Sequence, residues 1–396
     1  MRARPYRLVG GDQTIGATPT SRAQEAMRPI EGMLKSNRAL ILSVLLAFAV
    51  SGNPNRVAHG GQSTTSSYQI LPNWPQPVCG EGYTWGATGG IWAVSPDRVY
   101  VFQRGCLPAL TPSNTLLPER SAHEYSLTAK REYWPRWDHI FLVFNRDGEL
   151  VQSWEQYNKL FVKPHGVVVN PYDPERNVWL TDVGTHQIYK FSADGKKLLM
   201  TLGERGVPGN DKNHFNQPTS IVWLPNGDFY VGDGYVNTRV IKFSKDGTYL
   251  MEWGKPGKGP GEFNLVHALA VDNNRRIYVA DRGNSRIQIF DENGKYLSEW
   301  PNIEMPLYML ITENQQMWIA AGDPYQMLAK YDLNGRRLYS WGTPGQQPGG
   351  LWAVHQFSVD SDGNLYTADI RLGRPQKFVP RPGAAMLMGK PSIPFF

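Results

Sequence analysis

One pattern recurs along this chain at a spacing of about 40 to 50 residues, a period that restricts the fold to a solenoid, a propeller or an array of small units. Each unit opens on a short apolar segment: Lys163-Pro-His165-Gly-Val-Val, Gln217-Pro-Thr219-Ser-Ile-Val, Leu265-Val-His267-Ala-Leu-Ala, Met305-Pro-Leu307-Tyr-Met-Leu and Ala353-Val-His355-Gln-Phe-Ser. A weaker copy stands at Gly89-Gly90-Ile-Trp-Ala-Val. A polar turn follows, then a second strand such as Val178-Trp-Leu-Thr-Asp182 or Ile277-Tyr-Val-Ala-Asp281, and a third such as Gln187-Ile-Tyr-Lys-Phe191. An Asp-Gly or Asn-Gly step leads into a fourth strand that ends on Trp253, Trp300 or Trp341. Asp-Gly and Asn-Gly between alternating segments are strong hairpin signals. Four short antiparallel strands per unit, repeated radially, describe a β-propeller.

The last unit runs out after three strands, near Phe378. Ahead of the first unit, Tyr68-Gln-Ile-Leu-Pro-Asn-Trp74-Pro looks like the fourth strand Tyr296-Leu-Ser-Glu-Trp300-Pro. The expected fold is therefore all-β, a six-bladed β-propeller over residues 62–380 whose ring is closed by an N-terminal strand. Residues 381–396 are expected to form a loosely packed tail, and an insert in blade one, from Cys106 to about Asp138, to cap one face. The formal charge of +6 is spread among interspersed acids and bases, which excludes a nucleic-acid partner of the usual basic-stripe kind.

Residues 1–61 read as an extension carrying a targeting segment. Lys35 and Arg38 flank an apolar run from Ala39 to Val50, the length of a signal core and short for a membrane span. The segment ahead of it is long for a signal, so either translation starts at Met27 or Met33, or the run is an uncleaved anchor. The protein is expected to be secreted or periplasmic, touching a membrane only through that anchor, and monomeric. Cys79 and Cys106 are the two cysteines. Export permits them to pair; two half-buried thiols is the other possibility.

The opening segments place Gly90, His165, Thr219, His267, Leu307 and His355 in one register, so every second unit carries an imidazole. In a ring these side chains converge on the axis. Three neutral imidazoles with one open position are the ligand set of a catalytic zinc, whereas a single buried histidine would mean little. His59, His123, His139, His186 and His214 fall outside the register and read as surface or structural residues. Arg104, Tyr235 and Arg282 end second strands on the same expected face. A phenol has a pKa near about 10 and acts as a base only where a cation stabilises its anion; Arg104 and the metal are candidates for that cation. Salt bridges to the recurring aspartates, or simple packing of the tyrosine, would explain the same residues. Asp182, Asp233, Asp281 and Asp369 repeat in one slot, as do Arg239 and Arg286. Such repetition marks scaffold groups.

Pro164-His-Gly-Val, Asp233-Gly-Tyr235-Val-Asn237-Thr-Arg239 and Ala280-Asp-Arg282-Gly-Asn284-Ser-Arg286 resemble the NHL-repeat propellers, and within them the peptidyl-α-hydroxyglycine α-amidating lyases. That resemblance implies a zinc ion held by His165, His267 and His355, Tyr235 as the base, Arg104 beside it and Arg282 at the substrate. The reaction implied cleaves the carbinolamide at a peptide C-terminus, or a small-molecule analogue, to an amide and glyoxylate. It also implies calcium in the channel, held by the carbonyls of Ile91 and Val167 and by an aspartate. Here the family's Met-Pro-His-Asp reads Ala353-Val-His355-Gln356, and Gln356 keeps an oxygen but no charge. Val236 and Tyr278 stand where cysteines are common. The copper monooxygenase domain of the bifunctional animal enzymes has no counterpart, so the expected substrate widens to another α-hydroxyglycine or a ureidoglycolate-like adduct. The alternative to a lyase is a non-catalytic propeller that binds a protein, peptide or glycan. A calcium-dependent propeller hydrolase is disfavoured, because carboxylates rather than imidazoles suit that ion.

Overall fold

In the computed structural model, which describes residues 67–109, 136–322, 326–382 and 388–389, the repeat units fold as six four-stranded antiparallel sheets. Blade one comprises Thr88–Ser95, Arg98–Gln103, Phe141–Phe144 and Leu150–Ser153; blade two Pro164–Val169, Val178–Asp182, Gln187–Phe191 and Leu198–Leu202. Blade three comprises Pro218–Trp223, Phe229–Asp233, Arg239–Phe243 and Tyr249–Trp253; blade four Val266–Val271, Ile277–Asp281, Arg286–Phe290 and Tyr296–Trp300. Blade five comprises Pro306–Ile311, Gln316–Ala321, Leu328–Asp332 and Arg337–Trp341. Blade six takes Val354–Val359, Leu365–Asp369 and Arg374–Pro380 from the C-terminal region and adds Tyr68–Ile70 as its outermost strand, paired Gln69 to Val379.

Burial explains the layering. Second strands such as Val178–Asp182 and Ile277–Asp281 are buried along their whole length, while fourth strands such as Leu198–Leu202 are half exposed. The first strands touch the first strands of their neighbours and so form the inner wall. Apolar clusters join each consecutive pair of blades, including blade six to blade one through Trp74, Ile91, Phe144 and Tyr366. Among the described residues every apolar cluster spans two blades, so each sheet buries its faces against its neighbours. Tryptophans at the end of the fourth strands or just after them help to make these joints. Trp154 lies on Gly195 in the hairpin turn of blade two, where a Cβ would collide with the indole and where φ is 73°, so glycine is demanded twice over.

Cys79 and Cys106 form a disulfide, and Cys106–Pro108 pairs with Tyr83–Trp85 beside it. The expected cap in the blade-one insert falls largely on residues 110–135, and the expected targeting segment on residues 1–61; both lie outside the described residues. Most of the tail does too, but Met388 is 1% exposed within the cluster between blades five and six. A flexible thioether adapts readily to such a cluster.

Candidate metal centre

Every first strand bulges at the register position. Pairing with the second strand skips one residue between Pro164 and Gly166, between Val266 and Ala268, and between Val354 and Gln356. The skipped residues are His165, His267 and His355. A bulge releases its extra residue from the pleat and re-aims its side chain; here it turns each imidazole into the channel. In blade one the skip falls between Thr88 and Gly90, so the register residue is Gly89, not Gly90 as the sequence suggested. A glycine pair offers no side-chain pattern to tell the two apart.

The recurring aspartates hold the lead-in to these bulges. Asp182 accepts from the backbone N–H groups of Val162 and Lys163, Asp281 from Asn264, and Asp369 from Trp352 and Ala353. Each contact fixes the chain two or three residues before a register histidine. Arg239 and Arg286 in turn clamp Asp233 and Asp281 at 3.0 and 2.8 Å. The scaffold role expected of these residues is thus the placement of the inner-strand starts.

The three imidazoles are 2 to 4% exposed. Their ring centroids stand 5.2 Å (His165 to His267), 4.5 Å (His165 to His355) and 5.0 Å (His267 to His355) apart. One ring nitrogen from each lies within 4.8 Å of the others. His267 Nδ1 lies 2.7 Å from the Leu307 carbonyl and His355 Nδ1 lies 2.6 Å from the Gly89 carbonyl. A carbonyl only accepts, so both Nδ1 atoms carry the proton and both Nε2 lone pairs remain for the channel. This is the outer-layer arrangement that orients metal-ligating histidines. His355 Nε2 is buried with no hydrogen-bond partner, a cost that a shared cation would remove. The donor set and the unsatisfied nitrogen fit zinc.

Tyr235 sits over this triangle. Its Oη is 3.0 Å from His267 Nε2 and 3.3 Å from His165 Nε2. The preceding Gly234 makes the reach possible, since a Cβ there would collide with the Val266 backbone of blade four. Arg104 is 3% exposed and its Nε donates to the Pro164 carbonyl at 3.0 Å, so it braces the strand that carries His165. Its charge also acts on His165 and His355, while that of the half-buried Arg282 acts on His267 and His355. The structure therefore gathers the three histidines, Tyr235, Arg104 and Arg282 at one end of the channel. His186 accepts from Gln217 N–H, His214 pairs with Asp211, and His139 pairs with Glu155; none joins the cluster. His59 and His123 lie outside the described residues.

Burial is the main cause that holds His165 and His267 well below the ordinary imidazole value. It pushes His355 down to about 3, against the opposing hydrogen bond to Gly89. In the metal-free protein the unfolded chain would take up protons at these rings below about pH 6.5 while the native chain would not. Stability is then present above that pH and lost as pH falls, by up to about 1.4 kcal/mol per pH unit for each ring. The urea midpoint of metal-free protein is expected to drop steadily from pH 7 to pH 5; a flat midpoint over that interval would contradict burial of three neutral imidazoles.

Residues 209–319 match a family model described as a 6-bladed beta-propeller. NHL repeat-containing protein 3 of Homo sapiens is 34% identical over 264 residues, covering 60% of this chain and 72% of that protein. Peptidyl-alpha-hydroxyglycine alpha-amidating lyase 1 of Drosophila melanogaster is 34% identical over 311 residues, covering 66% of this chain and 56% of that protein. Peptidyl-glycine alpha-amidating monooxygenase A of Xenopus laevis is 31% identical over 332 residues, 78% of this chain. The chain spans about a third of the length of the Xenopus laevis monooxygenases it matches, 33% of A and 35% of B.

Proposed function

As a member of the NHL-repeat six-bladed β-propellers that resembles the peptidyl-α-hydroxyglycine α-amidating lyases, this chain, we propose, is a zinc-dependent carbon–nitrogen lyase acting on a carbinolamide. The observation that carries the reading is the convergence of three imidazoles with Tyr235 Oη in hydrogen-bonding reach of two of them. His165, His267 and His355 would hold the ion. Zinc, when bound, supplies a Lewis acid that lowers the pKa of a hydroxyl brought to it.

The chain's own groups do the rest. Tyr235, at the edge of the triangle, is placed to take the proton of the substrate's hydroxyl. Arg104 braces the strand that carries His165 through the Pro164 carbonyl and so holds the ligand set beneath Tyr235 in place. Arg282 presents a planar fork suited to the substrate carboxylate. As the hydroxyl loses its proton, the carbonyl of glyoxylate forms and the C–N bond breaks. The electron pair goes to nitrogen, and the proton held at Tyr235 is returned there to complete the amide. Atoms and charge balance without a further reactant.

The test is direct. Purified protein should contain zinc near one equivalent and release glyoxylate from α-hydroxyhippurate. Protein that contains no zinc, gains none on reconstitution and releases no glyoxylate from several α-hydroxyglycine compounds would end this reading and leave the binding module.

A further inference from the structure

The channel beyond the histidines holds a second arrangement, one residue further along blade six. Gln356 is 2% exposed. Its Nε2 donates to the Val167 carbonyl at 2.6 Å and its Oε1 accepts from the Val167 N–H at 3.3 Å. The Tyr308 hydroxyl bonds to the same side chain. Blade six is thereby tied to blade two past blade one, and blade one makes room for the tie. A Cβ on Gly90 would come 2.8 Å from Val167 N and 3.1 Å from Gln356 Oε1. The pocket that Gln356 and Tyr308 share with the three histidines has a volume of about 20 Å³, and among the described residues no carboxylate lines it. That is room for about one water.

The sequence resemblance implies calcium here, between the carbonyls of Ile91 and Val167 and an acidic side chain. The donor set does not fit that ion. Calcium takes about six to eight oxygens, commonly including carboxylates. In this chain the Val167 carbonyl is already occupied by an N–H, and the side chain opposite it is neutral. The positive edge of the amide points at the oxygen a cation would need. We infer that the Gln356 amide replaces the cation as the cross-channel tie, so that this propeller holds its ring together without calcium.

The experiment uses the whole protein desalted into calcium-free buffer, with zinc and calcium measured on the same samples so that the outcome at the histidines is scored separately. Thermal unfolding is followed with and without millimolar calcium chloride. Wild type is expected to contain no calcium and to shift by less than about 1 °C. A ligand bound to the native state well above its Kd would raise Tm by about 5 °C or more. Gln356→Leu, close in size but without the hydrogen bonds, is expected to melt about 5 °C or more lower, equally with and without calcium. Stoichiometric calcium in wild type, a calcium-dependent rise in its Tm, or an unchanged Tm in Gln356→Leu would each overturn the inference. If that variant cannot be obtained folded, the wild-type titration decides alone.

Discussion

His267→Ala is expected to abolish both zinc binding and glyoxylate release while leaving the propeller folded. Two imidazoles are a poor zinc site, so elemental analysis should fall from near one equivalent to background. Turnover should drop by about 10³-fold or more, equivalent to about 4 kcal/mol of transition-state stabilisation. The fold should survive because the substitution removes a channel side chain and leaves the clusters between blades in place. Its local cost is the Leu307 carbonyl, which loses its 2.7 Å partner, about 1–3 kcal/mol for an unsatisfied buried acceptor. Circular dichroism, zinc content and the glyoxylate assay on one preparation check all three parts. Full activity in this variant would remove the imidazole trio from the chemistry.

Tyr235→Phe is expected to separate the ion from the proton transfer. The phenol approaches two histidine nitrogens but is not one of the three proposed ligands, so zinc content should stay near wild type. kcat should fall by about 10²–10⁴-fold, the usual contribution of a positioned acid–base group, with a much smaller change in KM. The pH–rate profile should also lose the limb that reports the base. A packing role for the ring, which phenylalanine keeps, would predict rate, profile and stability all close to wild type. Equal kcat in tyrosine and phenylalanine proteins would refute the assignment.

The blades were legible in the sequence because short apolar segments and hairpin turns recur at a fixed spacing. The imidazole trio was legible because His165, His267 and His355 occupy equivalent places in alternate copies. What the sequence hid is physical in origin. A bulge adds one residue to a strand and leaves no trace in its hydrophobic pattern, so the apolar pattern of the eight-residue first strand of blade one points to Gly90 while the skipped position is Gly89. The carbonyls of Leu307 and Gly89, which fix the protonated nitrogen of two histidines, are backbone groups and carry no residue signature. Gln356 stood out as a neutral substitute for an acid, but its partner lies 189 residues away across the axis. The repetition of the aspartates marks them as scaffold, but the backbone N–H groups they hold carry no residue signature.

The clasp between Tyr68–Ile70 and the last sheet also bears on synthesis. Tyr68 Oη bonds to the carbonyl of Gly363, 295 residues later. Among the described strands, the one that leaves the ribosome first therefore has no lodging until nearly the whole ring has emerged. Until then its N–H and C=O groups are open to any stray edge, and blade six lacks its border. Slow maturation, and exchange of this strand between neighbouring nascent chains, are the hazards such a design carries.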